Sequence, residues 1–281
     1  MKKKSIKILI AGIVATITMG LLVGCGGKDT SNSDNSSDSV TIKISGSTSV
    51  GPLMEKEAMG YKEENPKTTV EVQQIGSSAG IKNAIEGVSE IGMSSRELKD
   101  AEKSEVAETV IAYDGIALVV HPSNEAENLT IEQIKGIYTG AITNWKEVGG
   151  KDAPIVVVSR EDGSGTREAF QEIAGYTSEE LDKKATIAEG NGSVKTTVST
   201  NENAIGYISF EQLGDSVKDL KVEGIEAIPE KVLNKEYKLS RPFLVVYKED
   251  KLTEGGKKFI DYILSDKGQA IVEEAGGIKV K

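Results

Sequence analysis

Residues 153–170 read APIVVVSREDGSGTREAF, an apolar β-branched run that passes through a glycine and hydroxyl turn into a helix-forming segment. The run 153–159 has strand composition, and 165–174 carries the spacing of an amphipathic helix. Working outward, the same alternation recurs. Strands are predicted at 40–45, 68–75, 88–93, 109–120, 204–209 and 242–248, and helices at 51–64, 79–86, 130–138, 192–200, 254–264 and 267–275. Strands alternating with helices imply an α/β architecture with largely parallel sheets. The strands 109–120 and 242–248 are unusually long or isolated, so they are read as the two crossings between a first lobe and a second, with the C-terminal helices completing the first.

Four segments share one grammar, in which a strand ends and Gly with Ser or Thr opens the next element: SGSTSVG (45–51), IGSSAG (75–80), GMSSRE (92–97) and SREDGSGTRE (159–168). The first amides of a helix lack intrahelical partners and carry the positive end of the helix dipole, which makes such a terminus an anion site. Each cluster taken alone reads as an ordinary N-cap. Four of them at carboxyl ends of strands converge on one crevice in an open α/β sheet, and Arg160 adds a forked pair of donors. A small, multiply coordinated oxyanion is the ligand this pattern favours.

Catalytic readings are weaker. Gly163-Ser164-Gly165 lacks the spacing of a nucleophile elbow, and the one histidine, His121, stands before Pro122 at a strand end, where it reads as a turn residue. One histidine and one cysteine do not make a zinc site. No nucleotide cradle is present, and no cofactor is expected. The net charge of −10 argues against nucleic acid as a partner. It does not exclude a small anion, because distant surface carboxylates are screened over about 8 Å.

The N-terminal residues speak to compartment. Lys2, Lys3, Lys4 and Lys7 precede an apolar stretch from Ile8 to Val23 that closes in Leu22-Val23-Gly24-Cys25, the pattern of a secretory signal. A membrane anchor is the competing reading, disfavoured by Gly12, Gly20 and the lack of a basic flank after the stretch. Removing residues 1–24 leaves a mature chain of charge about −14. Leu-Val-Gly-Cys resembles the lipobox of bacterial lipoproteins, which implies acylation of Cys25 and attachment to the membrane. Residues 28–39, KDTSNSDNSSDS, hold no apolar residue and read as a flexible tether.

Six segments, SGSTSVGPL, QQIGSSAGI, IYTGAITNWKEVGG, SREDGSGTRE, AIGYIS and LSDKGQAIVEEAG, together resemble in order those of the phosphate-binding proteins of Pst-type ABC transporters. The resemblance covers nearly the whole chain after the tether. It implies a two-lobed periplasmic-binding-protein-like fold of type II, each lobe a mixed, mostly parallel sheet flanked by helices with the ligand cleft between them. Lobe 1 is expected at 40–114 plus 246–281 and lobe 2 at 115–245, after a signal peptide at 1–24 and a lipidated tether at 25–39. The implied function is extracytoplasmic, non-enzymatic capture of inorganic phosphate by a monomer, and delivery to a membrane permease with its ATPase.

Carried over by motif, the implied phosphate ligands are Thr48, Ser49 and Val50 from the first loop, Ser77 from the second, and Arg160, Ser164, Gly165 and Thr166 from the fourth. Asp162 is expected to orient Arg160 or to cap. In the third loop many members of the family hold an aspartate that accepts the phosphate proton. Here Ser95 and Arg96 stand in its place, as donors, with Asp114 a candidate replacement acceptor. A surface ion pair with Glu97 or Glu161 is the competing reading of Arg96. A missing carboxylate puts rejection of fully ionised sulfate in question. Sulfate or molybdate is therefore a second candidate ligand, and a secreted phosphate-ester hydrolase or an adhesin on the same fold a third reading. Trp145 is expected to pack a surface turn capped by Asn144, and Asn191, Gly192 and Ser193 to open a helix near the cleft.

Overall fold

The computed structural model describes residues 39–280, so the expected signal segment, Cys25 and all but the last residue of the tether lie outside the described residues. In chain order, β1 (Val40–Gly46), α1 (Gly51–Glu64), β2 (Thr68–Gln74), α2 (Ser77–Glu86), β3 (Ile91–Ser94) and the short α3 (Asp100–Lys103) lead into β4 (Ala107–Val120). Next come β5 (Asn128–Leu129), α4 (Ile131–Tyr138), a 3-10 turn at Trp145–Val148, β6 (Val156–Arg160), α5 (Gly165–Ala174), β7 (Thr186–Ala188), α6 (Gly190–Ser199) and β8 (Ala204–Ser209). The chain ends with a 3-10 turn at Phe210–Gln212, β9 (Lys218–Asp219), β10 (Lys221–Val222), α7 (Pro229–Leu233), β11 (Ser240–Tyr247), α8 (Glu254–Ile263) and α9 (Asp266–Glu274).

The main sheet has the order β2-β1-β3-β11-β4-β8-β6-β7, with β9 added beside β4. Its wings are parallel, β2-β1-β3 on one side and β8-β6-β7 on the other, as expected for strands linked through helices. The two central strands run antiparallel to their neighbours. β4 changes partner along its length: Ala107 to Gly115 pair with β11, and Ile116 to Val120 pair with β8. A strand that serves two sheets in turn makes the lobe crossing.

Burial follows that switch. Ile111 and Ala112 pack in one core with Ile42, Ile44, Leu53, Met54 and Phe259, whereas Ile116 to Val120 pack in another with Tyr138, Trp145, Phe170 and Tyr207. On the return, Leu239 belongs to the second core and Phe243 and Val245 to the first. Along the return the packing therefore changes core between 239 and 243. Period-two alternation along β11 turns Phe243 and Val245 into the first core. Ile278, by contrast, packs back onto the second.

Sequence alternation found the long elements to within two or three residues. It missed β5, β7, β9, β10, α3 and α7, each of two to five residues, too short to establish a period. Trp145 opens the 3-10 turn and packs it onto the second core, its buried indole N–H donating to the Asn203 carbonyl at 2.9 Å. Asn144 caps the 3-10 turn as expected, accepting from the Lys146 amide at 2.9 Å.

Packing in the second lobe reaches the cleft through Tyr207. Its ring stacks on Phe170 at 4.0 Å between centroids, while its hydroxyl lies 2.9 Å from Ser159 Oγ and accepts from the Arg160 amide at 3.1 Å. A buried phenol needs such partners, and satisfying it here fixes the end of β6, from which Arg160 projects.

Candidate functional site

Helices α1 and α2 of the first lobe and α5 and α6 of the second begin within hydrogen-bonding distance of one another. Ser49 Oγ, before α1, lies 2.8 Å from Thr166 Oγ1 in the first turn of α5. Asn191 of α6 donates from Nδ2 to Ser49 Oγ at 3.0 Å, and the Ser78 amide of α2 donates to the Gly163 carbonyl at 3.2 Å. Ser95, after β3, closes the ring on the first-lobe side: its hydroxyl accepts from Ser47 Oγ at 2.9 Å and lies 3.3 Å from Ser77 Oγ, while its amide donates to Ser77 Oγ at 3.1 Å. Ser47 Oγ also accepts from the amides of Ser49 and Val50, at 3.1 and 3.3 Å.

Two backbone positions allow this approach. A Cβ on Gly165 would fall well inside contact distance of Ser77 Oγ and close to Ser95 Oγ, so only glycine lets the start of α5 come against these hydroxyls. Gly46, with φ +147°, passes the Met93 backbone so closely that a Cβ would strike its carbonyl oxygen. That contact sets the β1 loop beside the β3 loop.

Arg160 is buried with its guanidinium spanning the lobes. Nη2 donates to Thr48 Oγ1 at 2.8 Å across the cleft, and Nη1 to Asn191 Oδ1 at 3.2 Å. Glu161, not Asp162, orients it, accepting from Nε at 2.8 Å and Nη2 at 2.7 Å and from the Gly190 amide at 3.1 Å. Burial pushes the Glu161 carboxyl up, but Arg160 and these amides outweigh it and hold the group below the usual carboxylate range.

The structure therefore brings Thr48, Ser49, Val50, Ser77, Ser95, Arg160, Ser164, Gly165 and Thr166 to one enclosed region. Ser164 caps α5 there, accepting from the Arg167 amide at 3.3 Å. Three other expected residues have different work. Arg96 directs its guanidinium to Glu102, at 2.7 and 2.8 Å, and to Glu168, at 3.1 Å; neither is the partner considered from sequence. Asp162 is exposed and pairs with Arg167 at 2.6 Å. Asp114 is no spare acceptor. One oxygen takes two bonds from Arg241, at 3.1 and 2.8 Å, and the other accepts from Ser209 Oγ at 2.9 Å and the Phe210 amide at 3.2 Å.

Arg241, unremarked in the sequence, is buried against Asp114. It lies opposite Asp114 in the β4–β11 register, where the strands cross between lobes, and Nη1 donates to the Ser95 carbonyl at 3.2 Å. Burial pushes Asp114 up and Arg241 down, while their attraction opposes both shifts. Its signal was a lone charge inside an otherwise apolar strand, next to Pro242. Asn191 was flagged only as neighbouring; it links Ser49, Arg160 and the Ser209 amide.

Chemically this is a nest of hydroxyl and amide donors around one guanidinium, suited to an oxyanion stripped of water. His121 lies at the far end of β4, its Nδ1 2.7 Å from Ser123 Oγ, and Ser164 Oγ has no basic side chain among its hydrogen-bond partners. Among the described residues no cluster of three His, Cys, Asp or Glu side chains is placed to hold a metal.

The PBP superfamily domain is matched over residues 31–267. The phosphate-binding protein PstS of Bacillus subtilis is 31% identical over 292 residues, spanning 100% of this chain and 95% of its own, and that of Borreliella burgdorferi is 29% identical over 89% and 94%. A Clostridium perfringens structure described as a phosphate ABC transporter substrate-binding protein with bound phosphate is 63% identical, with TM-score 0.85, over 86% of this chain and 100% of its own. A Vibrio cholerae ABC-type phosphate transport receptor is 40% identical, with TM-score 0.75, over 84% and 99%. The chain belongs to the PBP superfamily and, within it, to the family of PstS phosphate-binding proteins.

Proposed function

We propose that this protein captures inorganic phosphate between its lobes and delivers it to the permease of an ABC transporter. The observation that carries the reading is the convergence of hydroxyls from both lobes, Ser49 with Thr166 and Ser77 beside Gly165, next to the buried Arg160. A tetrahedral anion there exchanges its hydration shell for preorganised donors, and closure of one lobe on the other reports occupancy to a membrane partner. The ligands are Thr48, Ser49, Val50, Ser77, Ser95, Arg160, Ser164, Gly165 and Thr166. No catalytic step is assigned, and the protein acts as a monomer.

With Asp114 committed to Arg241 and Glu161 to Arg160, a phosphate proton is accepted by a hydroxyl oxygen, Ser95 Oγ or Ser77 Oγ. Hydroxyls rotate between donating and accepting, so phosphate is preferred over sulfate by a smaller margin than a carboxylate would impose. Calorimetric titration of residues 40–281 with phosphate, and with sulfate in competition, tests this; sulfate binding equal to or tighter than phosphate would overturn the ligand assignment. The protein is held on the outer face of the membrane by acylated Cys25. Growth with labelled palmitate should mark the wild type and not Cys25→Ala, and equal labelling of the two would contradict the anchor.

A further inference from the structure

Beside the ligand cleft a second set of groups joins the lobes. Glu168 stands one turn into α5 of the second lobe. Its Oε2 lies 3.1 Å from Arg96 Nε and 2.7 Å from Lys99 Nζ, and its Oε1 accepts from Ser78 Oγ at 2.8 Å; all three partners belong to the first lobe. Arg96 is presented in advance. Glu102 grips its two terminal nitrogens, the Glu97 carbonyl accepts from Nη1 at 2.8 Å, and the side chain is 4% exposed, so the guanidinium is fixed in place with Nε 3.1 Å from Glu168 as an ion pair rather than a hydrogen bond. Burial pushes Glu168 up, and Lys99, Arg96 and Ser78 together hold it below the usual carboxylate range.

We propose that Glu168, with Arg96, Lys99 and Ser78, forms an ionic latch across the cleft that sets how long phosphate stays bound. This rests on the phosphate reading of the site. The same rigid helix carries Gly165 and Thr166 into the nest and Glu168 onto Arg96, so one closing motion makes both sets of contacts. The latch touches no cleft hydroxyl other than through the α2 start, and it stabilises the closed form whatever occupies the cleft. A ligand that escapes only from the open form then leaves more slowly in proportion to the closed population. The ion pair is partly buried, with Glu168 24% exposed, so it is screened less than a free surface pair and is worth more than the fraction of a kcal/mol typical of those.

The test is stopped-flow release of phosphate from the wild type, Glu168→Gln, Lys99→Ala and the double variant, in low salt and in about 1 M KCl, where the Debye length falls to about 3 Å. Glu168→Gln should speed release about tenfold and Lys99→Ala about twofold, with the double variant no faster than Glu168→Gln. Salt should accelerate the wild type and leave Glu168→Gln nearly unchanged. Association should be unchanged or faster in Glu168→Gln, since the variant also removes a negative charge near the entering anion. Release rates equal to wild type at low salt, or the same salt response in both proteins, would overturn the latch. Small-angle scattering without phosphate keeps the two readings separable: a wild type that binds no phosphate sinks the functional reading, while the latch still requires Glu168→Gln to be measurably more open than the wild type. Equal radii of gyration in that case would sink the latch too.

Discussion

Helices α1 and α2, whose first turns meet at the cleft, receive no side-chain acceptor from their cap residues and carry no acidic residue in the first turn; α6 also lacks both, but its first amide, that of Gly190, donates to the Glu161 carboxylate at 3.1 Å. Helices α4, α8 and α9 begin elsewhere, and each has both: Thr130 with Glu132, Thr253 with Glu254, and Ser265 with Asp266. Capping and a first-turn carboxylate are the ordinary ways to satisfy free amides and the positive end of the helix dipole. The protein uses them where a helix only has to be stable, and withholds them where several helices share one point. At the starts of α1 and α2 the negative charge is left for a ligand to supply, whereas at the start of α6 Glu161 already supplies it. Helix α5 stands between the two groups: Ser164 caps it and Glu168 lies in its first turn, but that carboxylate is turned sideways onto Arg96 and Lys99.

The strongest way to break this contrast is to give a cleft helix its own anion. Ser49→Asp places a carboxylate before α1 and beside Arg160, so calorimetry should show phosphate affinity lost by about a thousandfold or more, since like charges brought together cost several kcal/mol. Thermal stability should hold or rise, because the helix gains what α4, α8 and α9 already possess.

A second change concerns a buried carboxyl that α1 does own. Glu57 is fully buried, neither of its oxygens has a hydrogen-bond partner among the described residues, and burial pushes its pKa up to about 8. Between the ordinary value of 4.5 and about 8 the folded protein keeps a proton that the unfolded chain has released, so stability falls as pH rises through that window. Glu57→Gln should raise the melting temperature at pH 8.5, by an amount on the order of 2 to 4 kcal/mol of stability, and change little near pH 4.5. A gain of the same size at both pH values would show that packing, not charge, is at stake there.

Arg160→Ala removes the guanidinium that reaches Thr48 across the cleft and should weaken phosphate binding by about 1.5 to 3 kcal/mol, as for loss of a charge-assisted hydrogen bond. The smallest expected effect lies on the other side of the contrast. Thr130→Ala strips the cap of α4, whose Oγ1 accepts from the Gln133 amide at 3.1 Å, and should cost about 1 kcal/mol of stability while leaving phosphate titrations unchanged.

What the sequence made legible is what is local. Glycine and hydroxyl runs at 45–51, 75–80 and 159–168 announce strand-to-helix turns by composition alone, and their convergence follows from the rule that such turns gather beyond strand ends. Side-chain direction is not local in that sense. Glu161 and Asp162 are neighbours in the chain, yet only the first turns back to Arg160; the second reaches Arg167. Asp114 and Arg241 are far apart in sequence and meet through the register of β4 against β11, which no spacing rule supplies. Arg96 stands in a site-forming loop, but Glu102 and Glu168, from two different helices, draw its charge away.

The most direct test of the shared-anion account is a crystal structure of residues 40–281 grown with phosphate. The account predicts one phosphate enclosed between the lobes, within hydrogen-bonding distance of Ser49, Ser77, Thr166 and Arg160, and at the first turns of α1, α2 and α5 together. Phosphate held by one lobe alone, or lying outside this ring of helix starts, would contradict it.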